Sequence, residues 1–464
     1  MLDRLSDTLI RGGVRQPMRV LAASGQLGYG IPDAAFDAGL ERSPHVIGAD
    51  MGSIDPGPAY LGSGQMGTSP EMTRKDLAKL LVAARRLGIP LIIGSAGTAG
   101  ARPHLDATLR IVREIAREQG LHFRLAWIHA DMPRSVVKTA VRDCRVTPIG
   151  AIPDLTEQDV DQASNLVGQM GIEAFQRALH RGADVVIAGR ACDTAVYASI
   201  PAALGYPMGP TMHMSKIIEC CSLCCNPGGR DALLGTLDGE SFVLDSMNPI
   251  RHATPMSVAA HSLYEQSDPY VVYEPEGALR VDEARYEAID EHRTRVSGAR
   301  WIPAERFSVK IEGSVRVGER AILLAGSADP RVIASIRDIL SGVEKTVREL
   351  APPSAADPYR LYYRVYGIDG VFDWGNAPDP LPREIFIMVE CIAASAEEAK
   401  AVATVFKQYM LHHGFPGRLS TGGNLAFPFT PPEVSAGTAY RFNAYHIMQV
   451  DALAPLFPVE TEDI

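Results

Sequence analysis

The sequence predicts an α/β protein: an N-terminal parallel open sheet with helices on both faces, a β-rich middle segment, and a smaller C-terminal α+β domain. Three observations carry this. Short apolar runs alternate with segments of helical periodicity from Arg19 to Ala188, as expected of parallel βαβ units. Three of those runs, 45–49, 90–93 and 185–188, break abruptly into glycine, serine and acid at 50–57, 94–100 and 189–193. Past residue 230 the rhythm changes to short strands between turn residues. In an open α/β sheet, loops leaving the carboxyl ends of the strands line one crevice, and ligands bind there.

Residues 19–23 make the first predicted strand, and Pro32 suits the first turn of a helix running to Leu40. Strand 45–49 is followed by a Gly/Pro/Ser stretch, 50–70, whose length marks a functional loop or a surface excursion. Leu77, Leu80, Leu81, Ala84 and Leu87 recur at helical spacing, which predicts a helix over 73–87 ended by Gly88. Strand 90–93, helix 105–119, strand 123–128, helix 131–143, strand 146–149, helix 158–181 and strand 185–188 follow. Downstream, 235–244, 270–274, 277–281 and 308–317 read as short strands. Residues 351–358 read as a linker, 360–366 and 384–394 as strands, 396–413 as a helix, and 417–445 show no clear period. The expected domains are therefore 1–230 (ligand-binding), 231–350 (a β-rich extension) and 359–464 (small α+β).

Composition narrows the functional classes. A chain of 464 residues is long enough for two or three domains with real cores. Hydrophobic content of 46% and charged content of 22% place it among globular proteins. A net charge of -10, with no basic cluster interleaved with aromatics, argues against a nucleic-acid partner. It does not exclude an anionic ligand, because local arginines and backbone dipoles set the field in a cleft. No apolar segment reads as a signal peptide or a membrane span, so a cytoplasmic location without membrane contact is expected. Seven cysteines, four of them within 220–225, suit a reducing compartment.

The strand-end loops supply the candidate residues. Gly94, Ser95, Gly97 and Thr98 form a small-residue nest able to take a phosphate, a carboxylate or a thioester's pyrophosphate; tight-turn packing explains the same residues. The spacing G-x-x-G-x-x-G is neither the dinucleotide fingerprint nor the Walker loop, which disfavours hydride transfer. Asp50, with Ser53 and Asp55 close behind, can abstract a proton or coordinate a hard cation, or else cap loop amides. His129 and Asp131 close another strand, where Asp131 also suits a helix N-cap. Arg190 offers a planar fork for a carboxylate, with Asp193 to orient it or act as base; a structural Arg–Asp pair is the bland alternative. Cys220, Cys221, Cys224 and Cys225 lack the separated pairs of a metal site and read mainly as small core residues.

Several of these stretches resemble the acyclic terpene utilisation protein A (AtuA)-like family, in its longer variant with a C-terminal α+β domain. They are the run from Asp50 to Gly62, Gly94 to Gly97, Val186 to Arg190 with Asp193, Ile218 to Cys220, Arg295 to Arg300, and Gly417 to Pro428. The resemblance spans nearly the whole chain, with its motifs in order. It implies a place in the catabolism of branched carboxylic acids or their acyl-CoA thioesters, but no catalytic assignment.

Together these readings predict a hydratase, lyase or isomerase acting next to a carboxylate or thioester. Asp50, Asp193 and His129 would move protons; Ser53, Gly94, Ser95, Gly97, Thr98 and Arg190 would hold the anion. No cofactor is required, and a divalent cation beside Asp50 and Asp55 is allowed. The alternative is a non-catalytic acyl-ligand-binding subunit assembled with a small partner protein. A homo-oligomer is the base expectation for such a chain.

Overall fold

The computed structural model describes residues 1–264, 268–352, 358–375, 378–419 and 422–464. Most of the 351–358 linker, and Ser420 and Thr421 in the 417–445 tail, lie outside the described residues. The chain divides into two compact units, 1–315 with 442–464, and 316–441. The boundaries expected at 230, 350 and 359 fall elsewhere, since 231–315 and the final segment both belong to the first unit. Two long strands, Phe307–Ser327 and Glu433–Val450, each cross the division.

The first unit is built on a ten-stranded mixed sheet among the described residues. Its centre is parallel, in the order Met18–Ser24, Val46–Asp50, Leu91–Gly94, Val185–Ala188, Arg124–Ile128. Central parallel strands covered on both faces read as continuous apolar runs. Val46–Asp50, Leu91–Gly94 and Val185–Ala188 are accordingly buried at every position. Neighbouring residues still point to opposite faces. Val20, Ile92 and Val186 join one core cluster, while Leu21, Ile93 and Ile187 join the other. Residues of helices Asp33–Glu41, Pro70–Leu87 and Arg102–Gln119 contribute to the second cluster, and of Ile172–His180, Asp193–Ala203 and Met208–Ile218 to the first. The predicted layering of helices on both faces is what the protein adopts.

The sheet is extended by antiparallel strands. Leu233–Asp238 pairs with Met18–Ser24 and continues through Ser241–Ser246, Arg293–Ser297 and Arg285–Ala288. At the far edge Val459–Asp463 pairs with Arg124–Ile128. In the second unit, residues 319–327 pair with Ile385–Ala393, which pairs with Arg360–Tyr366. Helices Ile336–Leu350 and Ala396–His412 share a core with this sheet around Leu323, Val389 and Phe406.

Several elements differ from expectation: 235–244 is two paired strands, Leu233–Asp238 and Ser241–Ser246, and 308–317 is part of the longer Phe307–Ser327. The segment 158–181 is not one helix but Glu157–Gln162, strand Asn165–Gly168, and helix Ile172–His180. Asn165–Gly168 pairs antiparallel with 311–314, a non-local partner that local periodicity does not register. Val146–Pro148 is a strand, but it pairs with 446–448 outside the main sheet. The aperiodic tail contains Glu433–Val450, whose early positions are mostly exposed, so no alternation marks its start.

Candidate active site

At the carboxyl end of the parallel strands lies a cavity of about 710 Å³, entirely within the first unit. Its floor comes from the ends of three strands and the loops after them: Ser24, Asp50 and Arg190. Its walls add the start of helix Asp193–Ala203, the end of helix Met208–Ile218, and Glu274 from the strand Val271–Glu274. The crevice that strand-end loops were expected to line is a real space.

Asp50 closes its strand and is 2% exposed. One carboxylate oxygen, Oδ2, accepts the Gly52 N–H at 2.7 Å; the other, Oδ1, has no hydrogen-bond partner. A Cβ on Gly94, the neighbouring strand end, would sit 2.7 Å from that same Oδ1, so the missing side chain makes the room this carboxyl occupies. Burial pushes the Asp50 pKa well above the usual carboxylate range. The nearby Asp193 charge adds to the rise, and Arg190 only partly offsets it.

Arg190 is fully enclosed, and its fork faces Glu312 rather than Asp193. Nε and Nη2 donate to the two Glu312 oxygens at 3.0 and 3.3 Å. Lys310 bonds the same carboxylate at 3.0 Å while its ammonium stands 4.4 Å from the centre of the Tyr445 ring. Burial works against charge here, yet the two cations hold Glu312 below its ordinary pKa. The Glu312, Asp193 and Asp50 charges in turn hold Arg190 firmly protonated, against the effect of burial. The third nitrogen, Nη1, reaches Ser95 Oγ at 3.4 Å.

Two more buried acids line the walls. Glu219, 3% exposed, pairs with Lys216, and its Oε2 has no partner. The pair keeps Lys216 charged, even though burial alone would lower its pKa. Glu274 accepts from Thr194 Oγ1, its Oε2 is likewise unpartnered, and burial raises its pKa. Asp193 stands at the first position of its helix, and its charge bears on Asp50, Glu219 and Glu274 alike. The cavity thus places carboxyls of raised pKa beside fixed cations. A group poised that way can give or take a proton at a carbon next to a bound carboxylate.

The predicted residues divide by position. Asp50, Ser53, Asp55, Arg190 and Asp193 all line the cavity. Gly94, Ser95, Gly97 and Thr98 do not line it; their loop is instead locked to the 189–191 turn. Ser95 N–H bonds Gly189 O, Ala96 N–H bonds Ala188 O, and Arg190 N–H bonds Gly100 O. Ser95 Oγ accepts the Ala191 N–H at 3.1 Å. His129 lies off the cavity and bonds Glu460 at 2.7 Å. Asp131 accepts the Arg102 N–H at 3.2 Å, in a cap between elements. Among the described residues, no group of three or more His, Cys, Asp or Glu side chains is arranged to hold a metal ion. Lys216, Glu219, Glu274, Lys310 and Glu312 were not singled out as chemistry-bearing from sequence. Their positions follow from non-local pairing, although the Lys216-to-Glu219 spacing on a helix end is itself an ion-pair signal.

Comparison with known proteins gives one result. No curated protein and no solved structure matches the chain. The sequence model of the family described as acyclic terpene utilisation family protein AtuA matches residues 66–226 and 236–433. That match covers most of the chain, including Arg190, Asp193, Lys216, Glu219, Glu274 and Glu312, and the chain belongs to the acyclic terpene utilisation AtuA family.

Proposed function

We propose that the chain is an enzyme of carboxylic-acid or acyl-thioester catabolism that moves a proton next to the carboxylate or thioester carbonyl, as a hydratase, lyase or isomerase. The observation that carries this is Asp50: a buried carboxyl with a raised pKa and one unbonded oxygen, set at a strand end in a ligand-sized cavity. Asp50 is the acid, giving its proton to the substrate and recovering it in the return step. Asp193 is the neighbouring base. Lys310 and Arg190, fixed by their shared Glu312, provide the positive field that holds the substrate's carboxylate. His129, outside the cavity, has no part in this scheme.

The test is a thermal-shift panel of branched di- and tricarboxylates and acyl thioesters, with and without divalent cations, followed by turnover of each hit. A ligand at a hundred times its dissociation constant adds about 2.7 kcal/mol to stability. The expected outcome is a hit that wild type turns over and that Lys310→Met binds at least about tenfold more weakly. Hits that bind without any conversion would favour the alternative of an acyl-ligand-binding subunit.

A further inference from the structure

Among the described residues, four cationic side chains line the cavity, and they differ in what they are tied to. Arg190 and Lys216 are 4% and 8% exposed and are held by Glu312 and Glu219. Lys310 shares Glu312. Arg230 is exposed, which puts it at the mouth. Among the described residues it has neither a hydrogen-bond partner nor an ion-pair partner.

The turn that carries Arg230 is braced. Gly229 N–H bonds the Ser222 carbonyl at 3.1 Å, Ser222 N–H bonds the Asp231 carbonyl at 3.1 Å, and Asp231 N–H bonds Ser222 Oγ at 2.8 Å. Both neighbours of Arg230 are therefore tied to one buried serine. Arg251 packs against the same turn and donates to the Gly228 carbonyl at 2.6 Å and to Asp231. A Cβ on Gly229 would lie 2.0 Å from the Arg251 guanidinium carbon, so only glycine leaves room for this brace. Asp231, the acid next to Arg230 in the chain, is turned to other partners: Asn248 Nδ2 donates to Oδ1 at 3.0 Å, and Arg251 donates to Oδ2. Arg230 is thus held in place by its backbone while its charge is left unneutralised. A planar fork in that state, at the mouth of a cavity, suits an oxyanion.

Large apolar side chains also reach the surface in this lining: Tyr29, Leu223, Tyr264 and Tyr273 are all exposed. They offer cover to a carbon skeleton that runs from the buried cations to the mouth. A volume of about 710 Å³ is enough to enclose most of one small molecule, so a single ligand can touch both ends. We propose that Arg230 is a specificity-determining residue that binds a second anionic group, remote from the carboxylate or thioester held by Arg190 and Lys310. This rests on the reading of the cavity as a carboxylate or thioester site. The substrate class is then one with an anion far from the reacting carbon: a dicarboxylate, or a thioester whose carrier bears phosphate. The guanidinium recognises both by the same charge-assisted hydrogen bonds.

The experiment measures dissociation constants by calorimetric titration of the full-length protein with matched probes. One series is the straight-chain dicarboxylates from succinate to suberate, each beside its monomethyl ester. The other is butyryl-coenzyme A beside butyrylpantetheine, which lacks the phosphates. The expected result is a probe in one series that binds at least about tenfold more tightly than its mate without the remote anion. That advantage should vanish in Arg230→Gln and return in part in Arg230→Lys, which keeps the charge and loses the fork. The series that shows it identifies the anion as carboxylate or phosphate. Equal affinity within every pair would overturn the proposal, as would an advantage that survives in Arg230→Gln, or no binding by any probe. Conversion is assayed in parallel. A probe that depends on Arg230 and is never converted supports this subsite and counts against the proton-transfer reading alone.

Discussion

Exclusion of water and a neighbouring negative charge both raise the pKa of a carboxyl group, and Asp50 has both. Asp50→Asn should lower turnover by about 10²–10⁴-fold while preserving the ligand-induced thermal shift, since an amide fills the same space. Glu312 carries the opposite burden, because it is the buried carboxylate that two cations share. Glu312→Ala should destabilise the protein by about 3–5 kcal/mol, read by urea unfolding, because it strands the buried Arg190 charge. Glu276 gives a pH signature. It accepts the Glu173 N–H at 2.9 Å, and burial raises its pKa to about 7. Between its unfolded value near 4.5 and that folded value, the folded protein holds a proton that the unfolded chain has released. Its contribution therefore falls as pH rises through this window. Glu276→Gln should leave stability at pH 4.5 nearly unchanged and raise it at pH 8 by on the order of 2–3 kcal/mol.

Among the elements, the two glycine-bearing turns after Leu91–Gly94 and Val185–Ala188 are packed backbone to backbone. A Cβ on Gly100 would lie 2.1 Å from the Arg190 nitrogen, and Gly100 has a φ of +67°. Gly100→Ala should cost about 2–4 kcal/mol by combining overlap with a left-handed backbone, seen as a lower urea midpoint. The sequence placed these turns at strand ends correctly, because an apolar run ending in glycine is a local signal. What the amides do was not legible. Ser95, Ala96 and Arg190 donate to a neighbouring turn almost a hundred residues away in the chain, and no local pattern encodes that choice. Helix Asp193–Ala203, not anticipated from the sequence, starts at Asp193, an acid in the first turn that complements the helix dipole.

At the scale of the molecule, the parallel centre was legible because its three inner strands are buried at every position and some of its helices have a marked stop. Gly88, for example, ends Pro70–Leu87 in a left-handed cap. The division into units was not, because Phe307–Ser327 and Glu433–Val450 leave the first unit and return to it, and only the folded chain brings 442–464 back beside 124–128. No helix among the described residues is long and apolar enough to cross a membrane. Family membership agrees with the resemblance in the motifs, and it leaves the reaction to the cavity. The most direct measurement is solvent deuterium incorporation into a carboxylate that binds the protein, followed by proton NMR for wild type and Asp50→Asn. Proton transfer by Asp50 predicts exchange beside the carboxylate in wild type, reduced at least about a hundredfold in the variant, with binding retained. Equal exchange in both proteins, or none in wild type with a bound ligand, would contradict it.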